Sequence, residues 1–377
     1  MSYGQQFKIR EVPPIVQELV AGGVEEPPGQ YVVPEQDRPA AAALSEMPEP
    51  IPVVDFSRLS ANSPDELAKL QSASHSWDLF LVNLFSDFLR GHFDLSPGRA
   101  VGHGMEPSFL AEVLKAVTVR EFFKLPLEEK QKYSNIVDGK KMSSDGYGSD
   151  MVVVENQVLD WNDRLSLLVE PESERAYALW PTQPPSFRDI LCEYTVQGRS
   201  VANLILQNLA KLLNLQEEYL TTMLGEKSLT HAMINYYPRC PKSDHVLGLK
   251  PHTDASMITV NFINADVSGL QLQKNDIWYN VPIVPNALVV NIGDVMEIVS
   301  NEFFKSLVHR VVTNVEKERL SLVLFYVLDP EAEIELVQEL VDDKRPRRYK
   351  MMKSKDYLEK FFDTYAIGKL AIDSMNI

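Results

Sequence analysis

Cysteine and positive charge are both scarce in this chain. Only two cysteines, Cys192 and Cys240, occur in 377 residues. A disulfide framework is thereby excluded and a reducing compartment fits. The two have no zinc-site spacing either. Lysine and arginine number 37 against 53 aspartate and glutamate, a formal net charge of −16 with a pI near 5.0. Such an acidic surface repels phosphate backbones and anionic bilayers, so neither nucleic acid nor a membrane is an expected partner. No apolar run approaches the roughly 20 residues that span a bilayer. The opening MSYGQQFKIREVPP lacks an apolar h-region, so no secretory signal is expected and a cytoplasmic location fits. No repeat period appears, and no low-complexity tract beyond the alanine run near residue 41.

A hydrophobic content of 45% is enough for a large core. Residues 1–50, rich in Pro, Glu and Ala, read as a loosely ordered arm with a short helix near 14–21. Residues 51–225 form a helix-rich N-terminal region. IPVVDFSRL (51–59) reads as a strand leading into a helix, DELAKLQSASHSW as a helix, and DLFLV (78–82) as a strand. Leu110, Val113, Leu114, Val117 and Phe122 give residues 108–125 an amphipathic helical period, and 184–213 hold a second long helical pattern despite Gly198. From about residue 229 the texture changes to short β-rich runs: AMINYY, SMITVNFI, GLQLQ, IWYNV, ALVVNI, SLVHRVV and RLSLVLFYV. Seven such runs separated by Pro, Gly or Asn-Asp turns predict an antiparallel sandwich or small barrel. The expected class is α+β with a mainly β core. A jelly roll over 226–335 is flanked by the helical N-terminal region and followed by a helical tail, 336–377.

Seven histidines are present, and the informative ones adjoin a carboxylate in strand context. In His252-Thr253-Asp254, strand alternation would aim residues i and i+2 at one point. His309, in SLVHRVV, is the candidate third ligand. Two histidines and one carboxylate make the facial set of non-haem iron(II) oxygenases, which leaves adjacent coordination positions for a keto acid and dioxygen. A His-X-Asp alone is common by chance, and a strand histidine is more often a core residue. The segment ten residues beyond His309 sharpens the reading: Arg319 and Ser321 open the strand RLSLVLFYV on a shared face. A buried strand arginine is costly without a partner. Its planar fork suits a carboxylate, with the serine hydroxyl as a second donor. Asn235 and Tyr237 share a face of another predicted strand and could supply further donors, whereas Tyr236 reads as packing.

The motifs NYYPRCP (235–241), PHTD (251–254), SGLQLQ (268–273), ALVVNIGD (287–294), HRVVTN (309–314) and RLSLVLFY (319–326) resemble the plant 2-oxoglutarate- and iron-dependent dioxygenases. IPVVDFSRL and FFKLPLEEKQKY (122–133) resemble that family's N-terminal region, so the likeness runs from about residue 10 to the C-terminus. VQELVAGGVEEPP, GYGSD, LDWNDRLSLLVEP and IDSMNI are most similar to a grass group containing a rice enzyme that detoxifies triketone herbicides, with norcoclaurine-synthase-like and codeine-demethylase-like proteins as neighbours. The resemblance implies a double-stranded β-helix, iron(II) on His252, Asp254 and His309, and 2-oxoglutarate on Arg319, Ser321 and Tyr237 with Asn235 nearby. It also implies dioxygen as oxidant, ascorbate as reductant, a monomer, and hydroxylation or O-demethylation of a small molecule.

One departure is sharp. The family pattern W-x-x-F-x-x-x-N/G-H-G is interrupted here by residues 83–100, NLFSDFLRGHFDLSPGRA; joining Val82 to Val101 restores it. A retained intron or faulty gene model is one explanation, and an outward-bulging surface loop is the other. His92 within it is not an expected ligand. In the substrate pocket, alternation from Arg319 through Val323 places Phe325 near the metal, to stack on a planar substrate or to serve as ordinary core. Lys250, two residues before His252, is either a solvated strand-end lysine or a partner for an acidic substrate group. Competing functions are a non-oxidative condensing enzyme resembling norcoclaurine synthases, an inactive splice product, and a zinc protein using the same ligands.

Overall fold

The computed structural model describes residues 6–39, 47–84, 117–139, 141–149, 152–263, 267–285 and 287–377. Twelve of its strands build two facing sheets: β1 (Val53–Asp55), β2 (Leu79–Asn83), β3 (Gly146–Ser149), β4 (Asp163–Glu170), β5 (Leu229–Tyr237), β6 (Leu249–His252), β7 (Ile258–Ile263), β8 (Leu270–Lys274), β9 (Ile277–Asn280), β10 (Ala287–Ile292), β11 (His309–Val311) and β12 (Arg319–Val327). The major sheet has the order β1-β2-β10-β7-β12-β5-β4-β3, and the minor sheet β9-β8-β11-β6. Only the β1–β2 pairing is parallel in this pair of sheets. The seven β-rich runs all become strands. The two strands expected within 51–225 appear as β1 and β2, and the helical texture of that region conceals two more, β3 and β4, in the same major sheet.

Alternation along β12 shows how the layers separate. Leu320, Leu322, Leu324 and Tyr326 join the larger core, which packs against the long helix Phe187–Leu212. Arg319, Ser321, Val323 and Phe325 take the opposite face, toward the minor sheet. Gly198 lets the helix lie close: a Cβ there would come 2.3 Å from Leu324 Cδ1. Between the sheets, Leu79, Leu81, Val289 and Tyr237 of the major sheet pack with Leu270, Leu272, Tyr279 and Val311 of the minor one. The C-terminal helix Ser354–Ala366 sends Leu358 to Leu168, Leu229, Val327 and Phe325, closing one end of this interior.

Other expected helices appear at Val16–Ala21, Phe56–Ser60 and Pro64–Ser76. Ile15 offers the first of these no side-chain cap. Asp163 of β4 takes that role instead, accepting from the Val16 and Gln17 N–H groups at 2.8 Å each. Of the helix expected over 108–125, the described part begins at residue 117 and is helical over Val117–Lys124. Residues 85–100 of the expected insertion, and the VGHG after it, lie outside the described residues. Among those described, no helix is long and apolar enough to cross a membrane.

Candidate metal and co-substrate site

Two cross-strand neighbours start the site. His252 ends β6 and His309 begins β11, and the two are direct register partners. Their rings lie 4.3 Å apart. Asp254 sits beyond the end of β6, in the next loop. Strand alternation therefore does not position its carboxylate, contrary to the sequence argument. Two hydrogen bonds do: Asn291 Nδ2 donates to Asp254 Oδ2 at 3.0 Å, and the Asp294 N–H donates to the Asp254 carbonyl at 2.7 Å. Asp254 Oδ1 comes to 3.9 Å from His252 Nε2 and 3.6 Å from His309 Nε2. One ligand atom from each of the three lies within 4.8 Å of the others.

The donor set fits a divalent metal. Each Nδ1 meets a backbone carbonyl two residues back, Lys250 O at 2.8 Å for His252 and Leu307 O at 3.0 Å for His309. Those carbonyls fix the proton on Nδ1 and turn the Nε2 lone pairs toward Asp254. Burial, and then the neighbouring His309, holds the His252 imidazole well below its ordinary value, with Asp254 opposing. A neutral imidazole is the ligating form. Two nitrogens and a carboxylate on one side of an ion suit non-haem iron(II), and no cysteine joins them.

The second half of the site is a charge without a counter-charge. Arg319 is 2% exposed, and among the described residues none of its three side-chain nitrogens reaches a hydrogen-bond acceptor. Its guanidinium lies over the Tyr237 ring, 5.1 Å from the centroid. Burial pushes it below its ordinary value, with Tyr237 opposing. Register places Tyr237 directly opposite Arg319 and Asn235 directly opposite Ser321. All four of the residues named from sequence thus form one block on the inner face of β5 and β12, and all are buried. A buried cation flanked by a hydroxyl, a phenol and an amide is a receptor for an anion.

Several contributors were invisible in sequence. Gly269 makes room for Arg319: a Cβ there would lie 3.1 Å from Arg319 Cδ and 2.8 Å from the Val312 carbonyl. Asn291 and Gly293 belong to the motif ALVVNIGD, whose pattern alone assigns neither residue a role. Lys250 matches neither reading offered for it. It is 7% exposed, and its ammonium meets Asp160 Oδ2 at 3.0 Å and the Tyr365 ring at 4.3 Å from the centroid. Asp160 Oδ1 also accepts from the Lys250 N–H at 2.9 Å, and Tyr365 donates to Oδ2 at 2.5 Å. Lys250 therefore ties β6 to the C-terminal helix. The sequence motivation for an acidic substrate is lost with it. Phe325 is half-buried on the inner face, beside Leu358. A cavity of about 750 Å³ lies away from the cluster, lined by Gln17, Arg120, Tyr236, Arg239 and Glu318 among others. Within it Arg120 pairs with Glu318 at 3.6 Å, and Tyr236 donates to the same carboxylate.

A His-Asp-His cluster beside a buried anion receptor, inside a jelly roll, defines the class of iron- and keto-acid-dependent oxygenases. Comparison with known proteins agrees. Residues 230–327 match the 2OG-Fe(II) oxygenase superfamily, and residues 99–185 match the N-terminal region described as non-haem dioxygenase in morphine synthesis. Protein SRG1 of Arabidopsis thaliana is 34% identical over 97% of this chain and 96% of its own. Lateral branching oxidoreductase 1 of the same plant is 36% identical over 96% and 95%. The crystal structure of JOX2 in complex with 2OG, Fe and JA superposes with a TM-score of 0.82 at 29% identity, covering 98% of this chain and 100% of that one. The chain belongs to the 2OG-Fe(II) oxygenase superfamily and is an Fe(II)- and 2-oxoglutarate-dependent oxygenase.

Proposed function

We propose that this enzyme hydroxylates, or O-demethylates by hydroxylating an ether carbon, a small aromatic specialised metabolite, hormone or xenobiotic. The observation that carries the reading is Arg319, a buried guanidinium whose nitrogens find no acceptor among the described residues. 2-Oxoglutarate supplies the missing counter-charge. Its distal carboxylate would take the Arg319 fork and the Ser321 hydroxyl, with Tyr237 and Asn235 completing the cradle. His252, Asp254 and His309 would hold the iron. Asn291 keeps the Asp254 carboxylate turned toward the imidazoles, and the two backbone carbonyls keep the imidazoles turned toward the carboxylate. Bound iron with 2-oxoglutarate couples dioxygen reduction and decarboxylation of the co-substrate to substrate oxidation, yielding succinate and carbon dioxide. The chain's part is to orient these groups and exclude water, with Phe325 offering a ring to a planar substrate.

Within the superfamily, the herbicide-detoxifying grass group is the proposed neighbourhood, on the strength of VQELVAGGVEEPP, GYGSD, LDWNDRLSLLVEP and IDSMNI. Ascorbate as reductant, a monomeric state and a cytoplasmic location are proposed with it, the last supported by the low cysteine content and acidic charge. A norcoclaurine-type condensing activity would leave the Arg319 receptor without a role. Anaerobic titration with Fe(II) and 2-oxoglutarate tests the central claim. A weak visible metal-to-ligand charge-transfer band that saturates with 2-oxoglutarate is expected. Absence of that band, or no succinate formed with any member of a broad aromatic panel, would overturn it.

A further inference from the structure

Apart from the metal cluster and the keto-acid receptor, His231 and Asp145 form a further polar pair at the major sheet. His231 Nδ1 lies 3.7 Å from Asp145 Oδ1, with side chains 21% and 7% exposed. Asp145 Oδ1 is buried and has no hydrogen-bond partner among the described residues. Neither residue belongs to the metal cluster or to the Arg319 block.

The register of the major sheet fixes where His231 stands. Asn291 pairs with Thr259, Thr259 with Phe325, Phe325 with His231, and His231 with Leu168. These five side chains form one cross-strand row. Asn291, at one end, hydrogen-bonds the Asp254 carboxylate. Phe325 and Leu168, farther along, face the interior closed by Leu358. His231 therefore opens into the same interior as the metal cluster. Three strand steps separate it from Asn291, about 14 Å along the sheet and less across its curve.

We propose that His231, oriented by Asp145, is a specificity-determining residue that accepts a hydrogen bond from a hydroxyl at the far end of an elongated, otherwise apolar substrate. The proposal rests on the oxygenase reading and adds a substrate class to it. The Asp145 carboxylate, 3.7 Å from Nδ1 and so acting by charge and not by a hydrogen bond, favours the tautomer with the proton on Nδ1 and leaves Nε2 as an acceptor for a ligand. Burial holds the imidazole below its ordinary value even with Asp145 opposing, so the neutral, accepting form prevails near neutral pH. An acceptor selects a phenol or alcohol over a carboxylate, which would bring a second acceptor. Phe325 lies between His231 and the metal end of the row, where it would lie against the apolar body of the same ligand. Lys250, the alternative polar anchor, is already held by Asp160.

The test compares 4-phenylphenol with biphenyl, which differ only by the hydroxyl. Equilibrium binding is measured on the full chain loaded anaerobically with Fe(II) and 2-oxoglutarate. The wild-type chain is expected to prefer the phenol about tenfold, the size of one hydrogen bond made in a desolvated pocket. His231→Phe should remove that preference while keeping affinity for biphenyl. His231→Gln, which retains an acceptor, should restore part of it, and Asp145→Asn should weaken it. Equal binding of both probes to the wild type, no binding of either, or a preference that survives His231→Phe overturns the proposal. The charge-transfer band of the same samples separates the two claims. If it forms and the preference ignores His231, only this inference fails; if it never forms, the oxygenase reading fails first.

Discussion

A guanidinium taken out of water needs an anion, and Arg319 is built into the interior without one among the described residues. A Gly269 side chain would crowd its stem, and Tyr237 lies under its plane. Arg319→Gln should weaken 2-oxoglutarate binding at least tenfold, since hydrogen bonds to charged groups are worth about 1.5–3 kcal/mol. Iron binding should survive, because no metal ligand is touched. Anaerobic titration of the charge-transfer band checks both statements, and unchanged keto-acid affinity would refute the assignment. Asp163 makes a different prediction. Burial pushes its carboxyl from 3.8 up to about 6, against the Val16 and Gln17 N–H bonds that favour the ionised form. Between those two values the folded chain holds a proton that the unfolded chain releases. Stability therefore falls as pH rises across that window, by an amount on the order of 3 kcal/mol, and is flat in this respect above it. Asp163→Asn should flatten the profile of melting temperature against pH from about 4 to 6. Loss of one cap acceptor should lower stability by about 1 kcal/mol on the acid side of that window, where the wild-type carboxyl is neutral; above it the variant, spared the buried charge, should be the more stable by on the order of 2 kcal/mol.

At the scale of elements, the site depends on how loops and helices are pinned to strands. Gly293 opens the helix Asp294–Val299 against the loop that carries Asp254, and a Cβ there would lie 2.0 Å from the Ser256 carbonyl oxygen. A backbone atom cannot yield as a side-chain tip can. Gly293→Ala should cost about 1–3 kcal/mol or more and weaken iron affinity, because Asp294 N–H and Asn291 would no longer hold Asp254 in place. Thermal melts and iron titration of the variant would show it. Asp160 pins β6 to the C-terminal helix through Lys250 and Tyr365. Breaking a buried charge pair from one side costs about 3–5 kcal/mol. Asp160→Ala should therefore lower the melting temperature sharply, and Asp160→Ala combined with Lys250→Met should recover much of the loss. Equal damage in the single and double variants would show that the pair itself is not the cause.

For the whole molecule, the metal is expected to serve chemistry and not folding. The two sheets already enclose an apolar interior of their own, from Leu79 and Val289 to Leu272 and Val311, and the major sheet buries a larger core against the long helix. Removal of iron by a chelator should abolish 2-oxoglutarate turnover while the chain stays folded. Stability should fall only by the linkage term, about 2.7 kcal/mol at a hundredfold excess of metal over its dissociation constant, and the melting temperature only correspondingly. Cooperative unfolding on chelation alone, read by circular dichroism, would contradict this.

The sequence by itself determined the two halves of the chemistry. Two histidines, one aspartate and an Arg-x-Ser on β-rich runs are local patterns, and period 2 correctly put Arg319 with Ser321 and Asn235 with Tyr237 on shared faces. The seven strands were legible because β-branched and aromatic runs between turns carry their own signal. Tertiary structure alone decided what meets what. It set His252 opposite His309 and Arg319 opposite Tyr237, because register between distant strands is written in no local pattern. It placed Asp254 off the strand, held by Asn291, and it gave Lys250 to Asp160, 90 residues away. It also drew β3 and β4, which the helix-rich region does not signal, into the major sheet with the expected β1 and β2. Each of these is a long-range contact between polar or edge groups, whose partners are chosen only when the chain closes on itself.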